Sequence, residues 1–201
     1  MATLSQVKMY GGIGSILTLL LPVPSIGWLL AITGFILTLV AVKYVSDIVN
    51  DSSILNNMLI SIVVAITGVT IGFFVLVASV FRFMGLNNLN FADFGPNFNP
   101  ASIPAGNWLG LITWALAGIA VIWVLLTVSG VFLRRGYNRV GKALNVGMFG
   151  TAGLLFLIGA ATTIIVIGFL LIPIAMILLA IAFFSINENV QLPRQSGPAP
   201  T

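Results

Sequence analysis

The sequence predicts an all-α fold, specifically a polytopic transmembrane helical bundle, and three observations predict it. Hydrophobic residues fill 59% of the 201 positions and charged residues only 6%, against about 25% charged in an ordinary soluble domain. The apolar residues come in long unbroken runs, not in the one-sided stripes of a helix that faces water. The basic residues, finally, are concentrated. Arg134, Arg135, Arg139 and Lys142 stand within the ten positions LRRGYNRVGK (Leu133–Lys142), half of the eight in the chain. Such a cluster on a short loop between apolar runs is retained on the cytoplasmic side by the positive-inside rule, and there it meets lipid headgroups. That assignment orients everything else.

Composition also narrows the chemistry. The chain has no Cys and no His, which removes disulfides, thiolate chemistry, His-ligated haem and the usual zinc sites. Its four carboxylates, Asp47, Asp51, Asp93 and Glu188, all lie outside the apolar runs, so no buried proton relay is expected. No nucleophile–base pair or metal cluster can be assembled. The expectation is a protein that is not an enzyme and has no cofactor. The net charge of +4 sits in loops and reads as membrane orientation, not as nucleic-acid binding.

Apolar segments fall at Met9–Leu21, Ile26–Val42, Leu55–Val80, Trp108–Leu133, Met148–Ile165 and Val166–Ile186. A spanning helix needs roughly 20 residues to cross a core of about 30 Å, and the third and fourth segments meet that length. The first two adjoin. As one helix, Gly11 to Val42 would run about 48 Å. Pro22 and Pro24 remove amide donors and Gly27 frees the backbone, so a hairpin with its tip at Pro22–Gly27 is expected. Its first arm reaches full length if Thr3 or Ser5 caps it, with Lys8 snorkelling to the headgroups. Lys8 precedes an apolar run, but no Ala-x-Ala-like site follows, so no cleavable signal is expected.

The last two segments adjoin in the same way, with turn signals at Thr162-Thr163 and Gly168. GWLLAITGFILTLVAV (Gly27–Val42) aligns without a gap on GFLLIPIAMILLAIAF (Gly168–Phe183), and Gly11–Leu20 aligns on Gly150–Gly159. This is a weak internal repeat. Six crossings are therefore favoured, two hairpins flanking two longer helices, with both termini cytoplasmic. Six spans place seven basic residues inside and only Arg82 outside, whereas four spans give five against three.

The expected organisation is a single transmembrane bundle over residues 1–189 and a flexible Pro-rich tail over 190–201. Cytoplasmic loops are expected at 43–54 and 134–147. Asp47 and Asp51, one helical turn apart, could face the basic cluster across the same surface, though solvated loop charges are the plainer reading. The external loop, 82–107, carries several Asn, three Pro and the rings Phe91, Phe94 and Phe98 before Trp108. A loop of that length with those aromatics is either a cap in the headgroup belt or a docking surface for a partner subunit. Asp93 and Arg82 could pair there.

Within the helices, Gly34, Gly118, Gly153 and Gly159 are expected to allow close backbone approach, and Gly68/Gly72 form a GxxxG pair that would serve a dimer or a contact inside the bundle. Trp123 lies deep in the fourth segment and needs a partner such as Thr127 or a carbonyl. Gly11-Gly12-Ile13-Gly14 lacks the Lys-Ser or Lys-Thr of a phosphate loop and opens an apolar helix, so it is not one.

MYGGIGSILTLL (Met9–Leu20), AVKYVSDIVNDSSILNN (Ala41–Asn57) and the closing TAGLLFLIGA…LLAIAFFSI resemble an archaeal membrane family known as a domain of unknown function (nine-nine-six). The resemblance spans Met9 to Ile186. Members show Phe before the Asn-Asn pair, where this chain has Leu55. The resemblance implies a multi-span helical fold in an archaeal cytoplasmic membrane and transfers no catalytic residue. The expected role is a structural or accessory subunit of a larger membrane complex, its partners being the bilayer and other membrane subunits or further copies of itself. The alternative is a small transporter or channel for a neutral solute or lipid.

Overall fold

The computed structural model describes residues 3–89 and 99–187. Among them there is no strand, and six α-helices follow in chain order: α1 (Leu4–Leu19), α2 (Gly27–Val49), α3 (Ser52–Leu86), α4 (Ala105–Leu144), α5 (Met148–Thr162) and α6 (Gly168–Phe184), with 3-10 turns at Pro100–Ser102 and Thr163–Ile165. Each apolar segment becomes one helix. Four stretches are long and apolar enough to cross a membrane by length and composition: Gly27–Val49, Ser52–Leu86, Ala105–Leu144 and Met148–Ile165. The apolar α6 has 17 residues.

The helices are longer than their apolar cores, which corrects the expected loops. Of the loop predicted at 43–54, only Asn50 and Asp51 lie between α2 and α3. Of that at 134–147, only residues 145–147 lie outside a helix, so LRRGYNRVGK is the end of α4 and not a loop. At 82–107, α3 continues to Leu86 and α4 begins at Ala105. The physical reason is that polarity alone does not end a helix. Arg, Lys and Tyr propagate it at little cost; a backbone reversal ends it. Three asparagines supply that reversal. Asn50, Asn88 and Asn145 have φ of 53°, 53° and 55°, and after each the next N–H folds back on a carbonyl five residues earlier: Asp51 to Ser46 at 3.1 Å, Leu89 to Met84 at 2.9 Å, Val146 to Gly141 at 2.9 Å. This is the Schellman closure, with Asn in the left-handed position usually taken by Gly. No glycine among the described residues has a positive φ. At the other end of the chain Thr3 caps α1 as expected, in a reciprocal capping box with Gln6.

The chain forms two compact units, one from Met1–Ile62 with Ser129–Thr201 and one from Val63–Val128. The first holds both hairpins, the start of α3 and the end of α4. Its core takes Val7 from the start of α1, Val45 from the end of α2, Ile54 from the start of α3, Leu144 from the end of α4, Phe149 from the start of α5 and Phe183 from the end of α6. Odd helices give their first turns and even helices their last, so successive helices are antiparallel and both hairpin tips lie away from this core.

Each hairpin closes on glycine. In the first, a Cβ on Gly14 would stand 2.6 Å from the Gly34 carbonyl oxygen, and one on Gly34 would stand 2.4 Å from that of Gly14. In the second, a Cβ on Gly168 would stand 2.1 Å from the Gly159 oxygen. The hairpins meet where Gly11 and Gly12 of α1 lie under the rings of Phe183 and Phe184 of α6. The two tips are built alike. The register that aligns Gly27 with Gly168 also aligns Ser25 with Val166, and both have φ of 69°. Gly27 and Gly168 each open a helix directly over a backbone carbonyl of the preceding segment, Leu21 at 2.4 Å and Gly159 at 2.1 Å from an added Cβ. For a β-branched residue such as Val166 this conformation is strained, so the tip geometry dominates local preference there.

In the second unit α3 and α4 pack through small residues. A Cβ on Gly68 would meet Leu125, and one on Gly72 would stand 2.7 Å from the Gly118 oxygen. The GxxxG pair therefore serves a contact within the chain. The Thr127 hydroxyl donates to the Trp123 carbonyl at 2.9 Å.

Candidate functional site

Each unit has one polar place at a helix end. The first is the basic end of α4. On a helix, residues 135, 139 and 142 share one face, while Arg134 lies on another with Asn138 and Gly141. Arg135 is exposed with its guanidinium 5.6 Å from the Phe132 ring. Arg139 reaches across to the α2–α3 turn, where it meets Asp51 at 3.4 Å and the Ser53 hydroxyl. Lys142 is exposed at the rim of a hollow of about 280 Å³ lined by Asn138, Gly141, Asn145, Gly147 and Gly150. Arg134 is half-buried, and its Cα would lie 3.1 Å from a Cβ on Gly153, so α5 packs against it. The four cations thus share a helix end without converging on one centre, an arrangement suited to a sheet of anionic headgroups more than to a single ligand.

The Asp51 carboxylate accepts from both the side chain and the backbone N–H of Ser53. These bonds, the hydroxyl first and then the backbone N–H and the Arg139 charge, hold its pKa below the ordinary value against a smaller opposing effect of desolvation. Asp51 also caps α3, since its carbonyl and side chain take the first donors of that helix. Of the two carboxylates expected to face the basic cluster, Asp51 does so; Asp47 is simply exposed.

Beneath this surface lies an aromatic group that the sequence reading did not single out. Tyr137 stacks on Phe149 (6.4 Å, 19°) and Phe156 (6.1 Å, 21°), and Phe149 meets Phe183 edge-on at 4.9 Å. A ring inside LRRGYNRVGK, three residues after Arg134, was the available signal.

The second place is the end of the α3–α4 pair. Trp108, assigned to the docking loop from sequence, is half-buried. Its ring lies 4.8 Å from that of Phe83, and its indole donates to the Pro100 carbonyl at 3.3 Å. Asn107 donates to the Asn87 side chain at 2.8 Å, tying the two helix ends. Arg82 sits over the Trp114 ring at 5.8 Å. Phe91, Phe94, Phe98 and Asp93 lie outside the described residues, as does the tail 190–201.

Among the described residues no three Asp, Glu, His or Cys side chains come together as a metal site. No solved structure matches the chain. An uncharacterised protein of the archaeon Methanocaldococcus jannaschii is 29% identical over 188 residues, covering 94% of this chain and 96% of that protein. A family model described as "Protein of unknown function (DUF996)" matches residues 30–177. With apolar helices able to span a membrane, and with that match over most of its length, the chain belongs to this family of unknown function.

Proposed function

We propose that the protein is a non-catalytic structural subunit of a larger membrane assembly. It crosses the cytoplasmic membrane six times, with both termini and the basic end of α4 on the inner face. Its α3–α4 pair meets other membrane subunits or a second copy of the chain. The carrying observation is hydrophobic length. The apolar runs Leu55–Val80 of α3 and Trp108–Leu133 of α4 are each close to 39 Å at about 1.5 Å per residue, where the hydrocarbon core is about 30 Å. Helices that exceed the bilayer tilt, thicken it or are covered by neighbouring protein. Large side chains along the second unit, among them Phe73, Phe74, Leu109 and Leu116, are more than half exposed, and they would supply that contact.

The buried hydroxyls favour a scaffold over a conduit. Ser15 and Thr38 each donate to a carbonyl of their own helix, and Ser61 and Ser129 bond to each other at 2.9 Å. They are used in packing and do not present a path for solute. The test is photo-crosslinking in intact cells from positions 74 and 116, with extraction in mild detergent. The reading expects discrete protein adducts and a particle larger than one chain. Adducts to lipid alone, with a monomer isolated throughout, would refute it.

A further inference from the structure

The positive-inside rule accounts for the basic end of α4 but leaves Arg82 unexplained. It is the one charged side chain among the described residues of Val63–Val128. Two hollows adjoin it. One, of about 160 Å³, is lined by Ser79, Arg82, Phe83, Asn107, Gly110 and Trp114 and is mixed in character. The other, of about 220 Å³, continues along α3 past Val75 and Ala78 and is almost wholly apolar. Arg82, Ser79 and Trp114 line both.

The lining follows from helical spacing. Val75, Ala78, Ser79 and Arg82 occupy positions i, i+3, i+4 and i+7 on one face of α3, and Gly110 precedes Trp114 by one turn on α4. Ala78 and Ser79 are small, and a Cβ on Gly110 would meet nothing within 4 Å. The face is therefore an apolar channel with a cation at its mouth. The cation is positioned: its guanidinium lies 5.8 Å from the Trp114 ring centroid, a cation–π contact that orients its donors, and among the described residues no carboxylate pairs with it. The Trp114 ring lines the same mouth.

We propose that this face binds one anionic membrane lipid, its phosphate on Arg82 beside Trp114 and an acyl chain along Ala78 and Val75. The occupant is fixed by complementarity of charge at the mouth and of polarity below it. A free phosphate would use only the first hollow, and an uncharged chain only the second. The proposal depends on the helices lying in a bilayer and not on a partner subunit.

Native mass spectrometry of the purified full-length protein in neutral detergent, with added phosphatidylglycerol or phosphatidylcholine, tests it. The wild type is expected to retain one phosphatidylglycerol at a detergent energy that strips phosphatidylcholine. Arg82→Gln and the channel-filling Ala78→Trp should each lower retention at least tenfold, while Ile36→Ala, exposed on the first unit, leaves it unchanged. Displacement by glycerol phosphate alone would place a soluble phosphate there and overturn the lipid assignment. Equal retention of both lipids, or undiminished retention by Arg82→Gln, would overturn the site. A matching loss of Tm in lipid-free detergent for Arg82→Gln and Asp93→Asn would also overturn it, by showing that the arginine serves an internal ion pair.

Discussion

Glycine in this chain is a packing residue. Gly14 and Gly34 bring two backbones together so closely that neither has room for a methyl group, whereas Gly110 faces open space. The two kinds should respond oppositely to substitution. Gly14→Leu should lower stability by at least 2–3 kcal/mol, roughly the upper range for overpacking, because its obstacle is backbone and cannot rotate away. Gly110→Ala should be neutral or stabilising by under about 1 kcal/mol, through helix propensity alone. Thermal unfolding in detergent separates them. Sequence inspection named Gly34, Gly68, Gly72, Gly118 and Gly159 as close-approach positions, because small residues in apolar helices have few other uses. It had no means of separating Gly14 from Gly110, since only the position of the neighbouring helix distinguishes them.

At the scale of the element, helix ends carry the information that apolar runs lack. Asn145 closes α4 at φ 55°, so Asn145→Gly should hold or gain stability, and Asn145→Ala should lose about 1 kcal/mol, because Ala keeps the Cβ without the short polar side chain that makes the left-handed region tolerable. Chemical or thermal denaturation of the pair checks this, and a loss for Asn145→Gly would contradict the Schellman assignment. The α2–α3 turn makes a pH prediction. Asp51 has a depressed pKa in the folded state, so its contribution is complete above the ordinary carboxylate value near 3.9. It is lost as pH falls through the lower folded value. The Tm difference between wild type and Asp51→Asn should be full at about pH 6 and shrink below about pH 4. It should be modest, because the carboxylate and Arg139 are 39% and 49% exposed. The six helices were legible because each is an apolar run bounded by Pro, Gly or charge. Their true ends were not, because the basic turns of α4 are as helical as its apolar ones.

At the scale of the whole molecule, the alternation of helix ends in the core of the first unit puts Thr3, the α2–α3 turn, the α4–α5 turn and Ile186 at one end and the two hairpin tips at the other. A single cysteine at Asn138 or Asn145 should then react with an impermeant maleimide only after cells are opened, and one at Ser25 should react in intact cells. The reverse pattern would invert the orientation. The repeat noticed between the hairpins gains force from geometry. Two apolar sequences resemble each other cheaply, but Ser25 and Val166 sharing an unusual backbone conformation, each two residues before a helix-opening glycine, is a likeness composition does not produce.

What the amino-acid order determined unaided is the helical class, the number and sequence of helices, the hairpin tips and the absence of the side chains that would serve thiol or imidazole chemistry. These follow from local rules: a long apolar run must satisfy its own amides, and in lipid a helix does so. Only the tertiary structure decided which glycines touch backbone, that Tyr137, Phe149, Phe156 and Phe183 form one aromatic core, that Arg139 and not its neighbours reaches Asp51, and that Arg82 stands at the mouth of an apolar channel beside Trp114. Each of these depends on which faces of separate helices meet, and in a chain apolar on every side no periodicity marks the faces in advance.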